Sequence, residues 1–231
     1  MTSRAIKPVA AAWRATTTCL LLAGLVLASG CSTLSRTTLH MAALAVHGQP
    51  QAAAPTPAKV AALPYAQLGI TSKAGSAVLV LGYVDHGRMA WYSASREIVF
   101  TRHGVVVKTW NLHPDVLATH LPADSPFTTG LERLTAPVTT TRTLDLPDYR
   151  YGVLATSELA PAGAQDVVIL GKVHHLLRID ERLRAPSIGF AADNRYWVDP
   201  ASGFVWKSRQ TLPGGQTLTL TVLKPYSGDG S

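Results

Sequence analysis

Cysteine is almost absent from this chain: among 231 residues only Cys19 and Cys31 carry a thiol. Beyond residue 31 no internal disulfide can form, so stability there has to come from a hydrophobic core, which a hydrophobic content of 47% allows. Long apolar runs are missing too. Residues 16–27 (TTTCLLLAGLVL) fall short of the ~20 apolar residues that a membrane-spanning helix needs, and no second hydrophobic span follows. There is no internal repeat period, no GxSxG nucleophile elbow and no strand–GxxxxGK–helix phosphate loop. The histidines are scattered, and His47, His86 and His103 each precede a glycine, which is loop usage. The adjacent His174 and His175 project to opposite faces of a strand and cannot easily share a metal. Carboxylate pairs for glycoside cleavage can be drawn from Asp145, Asp148, Asp166, Asp180 and Glu181, but their separation is set by the fold and not by spacing along the chain. No catalytic residue, cofactor or metal site is expected.

What is present begins with an export signal. Arg4, Lys7 and Arg14 precede the apolar run, and Leu27-Ala28-Ser29-Gly30-Cys31 closes it. A short apolar run behind positive charge is the pattern of a secretory leader. The closing residues resemble a lipobox, with Ala28 departing from the usual leucine. Residues 1–30 are therefore expected to be a signal peptide, with Cys31 the lipidated first residue of the mature chain. A palmitoylated diacylglycerol cysteine gives stable membrane attachment, since each buried CH₂ contributes ~0.8 kcal/mol. Ser32 follows the cysteine, where an aspartate would retain an enterobacterial lipoprotein at the inner membrane, so the periplasmic face of the outer membrane is the expected location.

Removing three basic residues with the leader reduces the formal charge from +7 to +4. A nucleic-acid binder gathers Lys and Arg on one face. Here Arg88, Arg96, Arg102 and Lys108 stand singly along or beside expected strands, so nucleic acid is not an expected partner. A mild positive surface is compatible with an acidic polysaccharide or anionic headgroups.

Residues 31–60 read as a lipid anchor and tether. A short helix is expected in 32–46, then the Ala/Pro-rich run GQPQAAAPTPAK, which has little to bury. Thr56 followed by Pro57 suits a helix start, with the helix running to Leu63. From residue 65 the signals turn to β, and residues 61–226 are expected to form one β-rich domain with a frayed tail at 227–231. Strands are expected at 76–83, 88–93, 97–102 and 105–110, with tight turns at Asp85-His86-Gly87 and His103-Gly104. Such short turns require antiparallel neighbours. Residues 114–120 are expected to form a helical turn with Asp115 near its start, and 121–130 a loop. Strands are expected at 136–146 and 149–159. The stretch 166–184 reads as a strand throughout or as a strand passing into a helix; periodicity does not decide. Strands at 195–199, 204–211 and 216–223 form hairpins about Pro200–Gly203 and Pro213–Gly215, with Asp199 a turn residue. The fold class is all-β: a large antiparallel meander curled into a half-barrel or distorted barrel, with short N-terminal helices. A two-sheet sandwich is the alternative.

Trp91, Trp110, Trp197 and Trp206 all fall on expected strands, with Tyr92 and Tyr196 beside two of them. Aromatic platforms on a sheet can face sugar rings. Tryptophan also contributes large buried area to a core, and packing is the preferred reading, with Trp197 and Trp206 expected near each other across one hairpin.

These segments resemble a known family. ALPYA at 62–66, VLVLGY, the Trp91 strand and IVFTRHGVVVKTWNL resemble the first half of the YjbF/GfcB lipoproteins, and NRYWVDPASGFVWKSRQTL followed by VLKP resembles their C-terminal signature. The resemblance runs over about residues 63–117 and 194–225, leaving 118–193 unmatched. It implies a mostly antiparallel β-fold and a non-enzymatic role in assembly or export of capsule or exopolysaccharide, through an export protein or the polymer. It brings no catalytic residues. Two alternatives stand beside it: a periplasmic lipid or lipoprotein carrier with an apolar concave face, and a polysaccharide hydrolase with two carboxylates converging beside exposed tryptophans.

Overall fold

The computed structural model describes residues 55–228. The expected leader, Cys31, the helix at 32–46, most of the tether and the last residues of the expected tail lie outside them. Among the described residues no helix is long and apolar enough to cross a membrane.

Twelve antiparallel strands form a single sheet: β1 (Gln67–Ser72), β2 (Gly75–Asp85), β3 (Arg88–Tyr92), β4 (Ile98–Arg102), β5 (Val105–Trp110), β6 (Ala118–His120), β7 (Val138–Leu146), β8 (Arg150–Ile169), β9 (Lys172–Ala185), β10 (Phe190–Val198), β11 (Val205–Thr211) and β12 (Thr217–Lys224). The order is β5-β4-β3-β2-β1-β12-β11-β10-β9-β8-β7-β6. Every neighbour is therefore a chain neighbour except the pair β1–β12, which joins the two meanders. The free edges, β5 and β6, follow each other in the chain. The Thr109 N–H donates to the Val116 carbonyl at 2.8 Å and the Leu117 N–H to the Asp145 carbonyl at 2.9 Å, so the sheet curls into a nearly closed barrel. Curling in this way also leaves little of either edge free to pair with another chain. The expected distorted barrel is the observed class, and the two-sheet sandwich is not formed.

Two-residue turns set much of the register. His86-Gly87, His103-Gly104 and Leu170-Gly171 all have positive φ at both residues, the conformation that follows the natural twist of a hairpin. The third of these corrects the reading of 166–184. The chain neither runs on as one strand nor passes into a helix; it reverses at Leu170-Gly171, leaving β8 and β9 paired along their length. Apolar residues on both sides hid the turn. β8 also carries Pro161 and Gly163 within it, at a register shift between Pro161 and Ala164.

Three further expectations change. Residues 114–120 do not form a helical turn. Asp115 accepts hydrogen bonds from the N–H groups of Asn111 (3.0 Å) and Leu112 (2.9 Å) and from the Thr109 hydroxyl (2.8 Å), which closes a tight turn. The chain beyond it pairs with β7 instead of with its own preceding carbonyls. The loop at 121–130 contains a short helix, α2 (Pro126–Thr129), preceded by α1 (Pro57–Ala61) and followed by a 3₁₀ turn at Leu131–Arg133. Proline opens both helices, where its missing N–H costs nothing. In α1 the Thr56 hydroxyl accepts from the Lys59 N–H, and the helix stops at Ala61, short of Leu63. The Gln67 side chain donates to the Val60 carbonyl at 2.8 Å and fastens α1 to the barrel.

Candidate functional site

The inner wall alternates with the outer one along each strand. On β9, Ile179, Glu181, Leu183 and Ala185 face inward and are buried, while Arg182 and Arg184 are exposed. The same alternation on β1, β2 and β12 buries Leu68, Leu79, Leu81, Leu218, Leu220 and Val222 in the main core. The segment carrying α2 and the 3₁₀ turn enters the barrel and fills part of it. Phe127 and Leu131 pack with Leu159, Ile179 and Tyr196, and the Phe127 and Tyr196 rings meet edge to face at 5.1 Å. Burying two such side chains stabilises the plug by roughly 3–6 kcal/mol at ordinary transfer values.

Beneath this plug lies an ionic centre. Glu181 accepts hydrogen bonds from Arg142 and from the Ser157 hydroxyl (2.6 Å) at one oxygen, and from the Asn194 amide (2.8 Å) and the Tyr196 hydroxyl (3.0 Å) at the other. The side chains of Arg142 and Glu181 are 4% and 0% exposed. The Arg142 guanidinium also lies 5.4 Å over the Phe127 ring. Burial pushes the Glu181 carboxyl up, but the Arg142 charge and the donated hydrogen bonds outweigh it and hold the group below the ordinary glutamate range. Burial likewise disfavours the Arg142 charge, and Glu181 overcomes it. Tyr196 is pushed well up by burial and by the neighbouring carboxylate. Every lone-pair direction of Glu181 is occupied and no proton is left to exchange near neutral pH, which is the chemistry of a fixed strut. The sequence held a signal for it: a glutamate at an inward position in the apolar alternation of β9.

Between the plug and the wall a cavity of about 600 Å³ remains, lined chiefly by Leu68, Trp91, Phe127, Phe204, Leu220 and Val222. His103 stands at its margin with its pKa lowered, first by burial and then by the Arg102 charge. Glu132 also reaches the cavity, with one carboxylate oxygen, Oε2, buried and unpartnered. The volume suits a small ligand, since binding sites commonly span 300–1,000 Å³ and are largely apolar.

The four tryptophans occupy different environments. Trp91 is 2% exposed and donates from its indole nitrogen to the Thr101 hydroxyl at 2.8 Å. Trp197 is buried in a small cluster with Val167, Ile169 and Leu176, donates to Gln165 at 2.9 Å and lies under the Lys207 ammonium at 5.1 Å. Trp206 packs against the same cluster, but a bulge sets Lys207 and not Trp206 across from Trp197; Trp206 meets the tilted His174 ring at 4.4 Å and the Phe204 ring edge to face at 5.0 Å. Trp110 alone of the four is mostly open, at 60% exposure. Cross-strand register places it in one row with Ile98 and the exposed Tyr92.

The carboxylates considered for hydrolysis are each engaged separately. Asp145 accepts from the Gly152 N–H and from His120, which hold its pKa low; Asp148 faces Arg150 at 3.6 Å; Asp166 meets His175 at 2.5 Å; Asp180 is chelated by Arg178. Asp180 and Glu181, adjacent on β9, face opposite sides of the sheet. Among the described residues no cluster of three or more His, Cys, Asp or Glu forms a metal site.

Three similarities to known proteins bear on this arrangement. Residues 37–223 match the model of the YjbF family, described as group 4 capsule polysaccharide lipoprotein GfcB, YjbF. The lipoprotein GfcB of Escherichia coli (strain K12) is 26% identical over 170 residues, covering 72% of this chain and 79% of that protein. The crystal structure of the lipoprotein YmcC from Escherichia coli (K12) superposes with a TM-score of 0.66 at 24% identity, covering 74% of this chain and 89% of that one, which shows a shared fold.

Proposed function

Since this chain belongs to the YjbF family of group 4 capsule polysaccharide lipoproteins, we propose that it is an outer-membrane lipoprotein assisting assembly or export of a capsular or exopolysaccharide. It acts by binding, either the polymer or a protein of the export machinery, and performs no catalytic step of its own. Residues 1–30 direct export and Cys31 carries the lipid, holding the barrel at the periplasmic face behind the Ala/Pro-rich tether. The observation that carries this reading is the family match across residues 37–223, which spans the barrel. Trp110, open to solvent in a row with Tyr92, is the glycan-facing aromatic on this reading. Deleting the gene in a strain that makes a surface polysaccharide should lower the surface polymer, and the intact gene should restore it. Unchanged polymer in the deletion strain would overturn the reading.

A second reading has the cavity as its support: a carrier for an apolar ligand held between the plug and the barrel wall. It predicts acyl-containing molecules in organic extracts of the purified protein, seen by mass spectrometry, and their loss when Leu220→Trp fills the space.

A further inference from the structure

We propose that the outward face of β9, β10 and β11 binds an acidic polysaccharide through its arginines. This deepens the polysaccharide reading and rests on it. Cross-strand register gathers six basic side chains there: Arg178, Arg182 and Arg184 from β9, Arg195 from β10, Lys207 and Arg209 from β11. Only three acids, Glu158, Asp180 and Asp193, share the face.

The pairing leaves positive charge uncompensated at defined places. Arg195 and Arg209 are directly opposite each other on neighbouring strands, an arrangement that disfavours the sheet when nothing lies between the charges. The Asp180 carboxylate that serves Arg195, at 3.9 Å, is already held by both ends of the Arg178 guanidinium at 2.8 and 2.6 Å. Arg182 reaches Glu158 at 4.0 Å. Arg184 is exposed between the uncharged Thr156 and Ala191. A polar groove of about 430 Å³ runs among Arg182, Arg184, Asp193, Arg209 and Thr211.

The chemistry of this face selects its ligand. Guanidinium forks match carboxylates geometrically, and strands about 4.8 Å apart repeat them across the face, as a polymer with a regularly placed acid requires. Thr219 offers a hydroxyl and Asp193 an acceptor for the hydroxyl groups between those acids, beside the Thr211 and Thr217 hydroxyls, which bond each other at 2.9 Å. A membrane surface fits less well. Basic faces that dock on lipid carry large apolar side chains that insert. Leu176 and Trp197, the large apolar residues among these outward positions, are buried and offer nothing to insert between lipid chains.

The test uses the purified full chain, with alginate as an acidic probe, dextran as a neutral one and vesicles of phosphatidylglycerol in phosphatidylcholine, by titration calorimetry at low and high salt. Alginate should bind at low salt and weaken as salt rises. Arg184→Gln with Arg209→Gln should lower affinity about tenfold or more, since each loses a charged hydrogen-bond donor. The lysine pair at the same positions should keep part of it. Arg96→Gln with Arg102→Gln removes the same charge elsewhere and should bind nearly as the parent does. Thermal midpoints of all variants show whether folding is intact. Absence of alginate binding, equal losses in both glutamine pairs, or vesicle binding through the same arginines overturns the proposal. Genetic complementation separates it from the broader reading. If the glutamine pair at 184 and 209 restores surface polymer as the parent does, this inference fails and the broader reading stands. If the deletion itself leaves polymer unchanged, the broader reading fails.

Discussion

The side-chain amide of Gln210 on β11 accepts the backbone N–H of Val106 on β5 at 3.0 Å, across 104 residues of chain. The same amide donates to the Gly104 carbonyl at 2.9 Å and to the Ser208 hydroxyl at 2.8 Å. The bond sits beside a bulge, where the β4–β5 register shifts between Phe100 and Thr101. A side chain from the far wall thus pairs a buried N–H next to a break in the ladder, where an unpaired group would carry a desolvation cost.

Gln210→Leu should therefore destabilise the barrel by about 1–3 kcal/mol, because the Val106 N–H and the Gly104 carbonyl lose their partner inside the fold. Urea unfolding followed by tryptophan fluorescence measures it. A midpoint equal to the parent's would show that other groups satisfy both atoms.

Glu181→Gln removes the counter-charge of Arg142 while keeping shape and some of the hydrogen bonds. Breaking a buried pair from one side leaves a charge with no compensation, so the expected loss is about 3–5 kcal/mol. Replacing both partners, Arg142→Met with Glu181→Gln, should recover part of that loss. If the double variant is no more stable than the single one, the uncompensated charge is not the cause.

The acid limb of stability follows from the same carboxylate. Its folded pKa lies below the ordinary glutamate value near 4.5, so the unfolded chain binds more protons over that interval. The stabilisation is complete above that value and is lost as pH falls through the folded one. Asp145, Asp180 and Asp199, also held low, act with the same sign. His103, lowered from 6.5, adds a gentler slope: stability decreases as pH drops below 6.5 and the unfolded chain takes up its proton first. His174, also lowered by burial and by the Lys172 charge, acts with the same sign, so His103→Asn, which suits the positive φ there, should reduce the slope near pH 6 in part and leave the lower limb in place. Thermal midpoints across pH 3–8 test both parts.

Gly104→Ala and Gly215→Ala separate backbone strain from crowding. Both glycines have positive φ, at 76° and 80°. A β-carbon at Gly104 would come within 2.6 Å of the Val205 side chain, whereas at Gly215 it meets open space. Alanine at 215 should cost about 1–2 kcal/mol from conformation alone. Alanine at 104 should cost more, by about 1–3 kcal/mol of overpacking. Equal unfolding midpoints would show that Val205 yields without resistance.

Local chemistry was sufficient for much of this molecule. Apolar alternation, β-branched runs and His-Gly or Pro–Gly turns located most strands and their antiparallel sense. A β-turn is built from a few consecutive residues, and alternation has a period of two. At Leu170-Gly171 the apolar flanks masked the same chemistry. At Asp115 a carboxylate that can start a helix instead collects N–H groups in a turn, and only the neighbouring strand β7 decides which.

The sequence by itself determined the β class, the tight hairpins, the expected export signal and the family likeness. The tertiary structure decided what faces what: which tryptophan stays open, that Phe127 plugs the lumen, that Glu181 meets Arg142 from 39 residues away, and that the arginines of three neighbouring strands form one face. The reason is register. Each strand fixes its own alternation locally, but the offset between strands arises only when the sheet curls and closes, and distant side chains become neighbours through that offset.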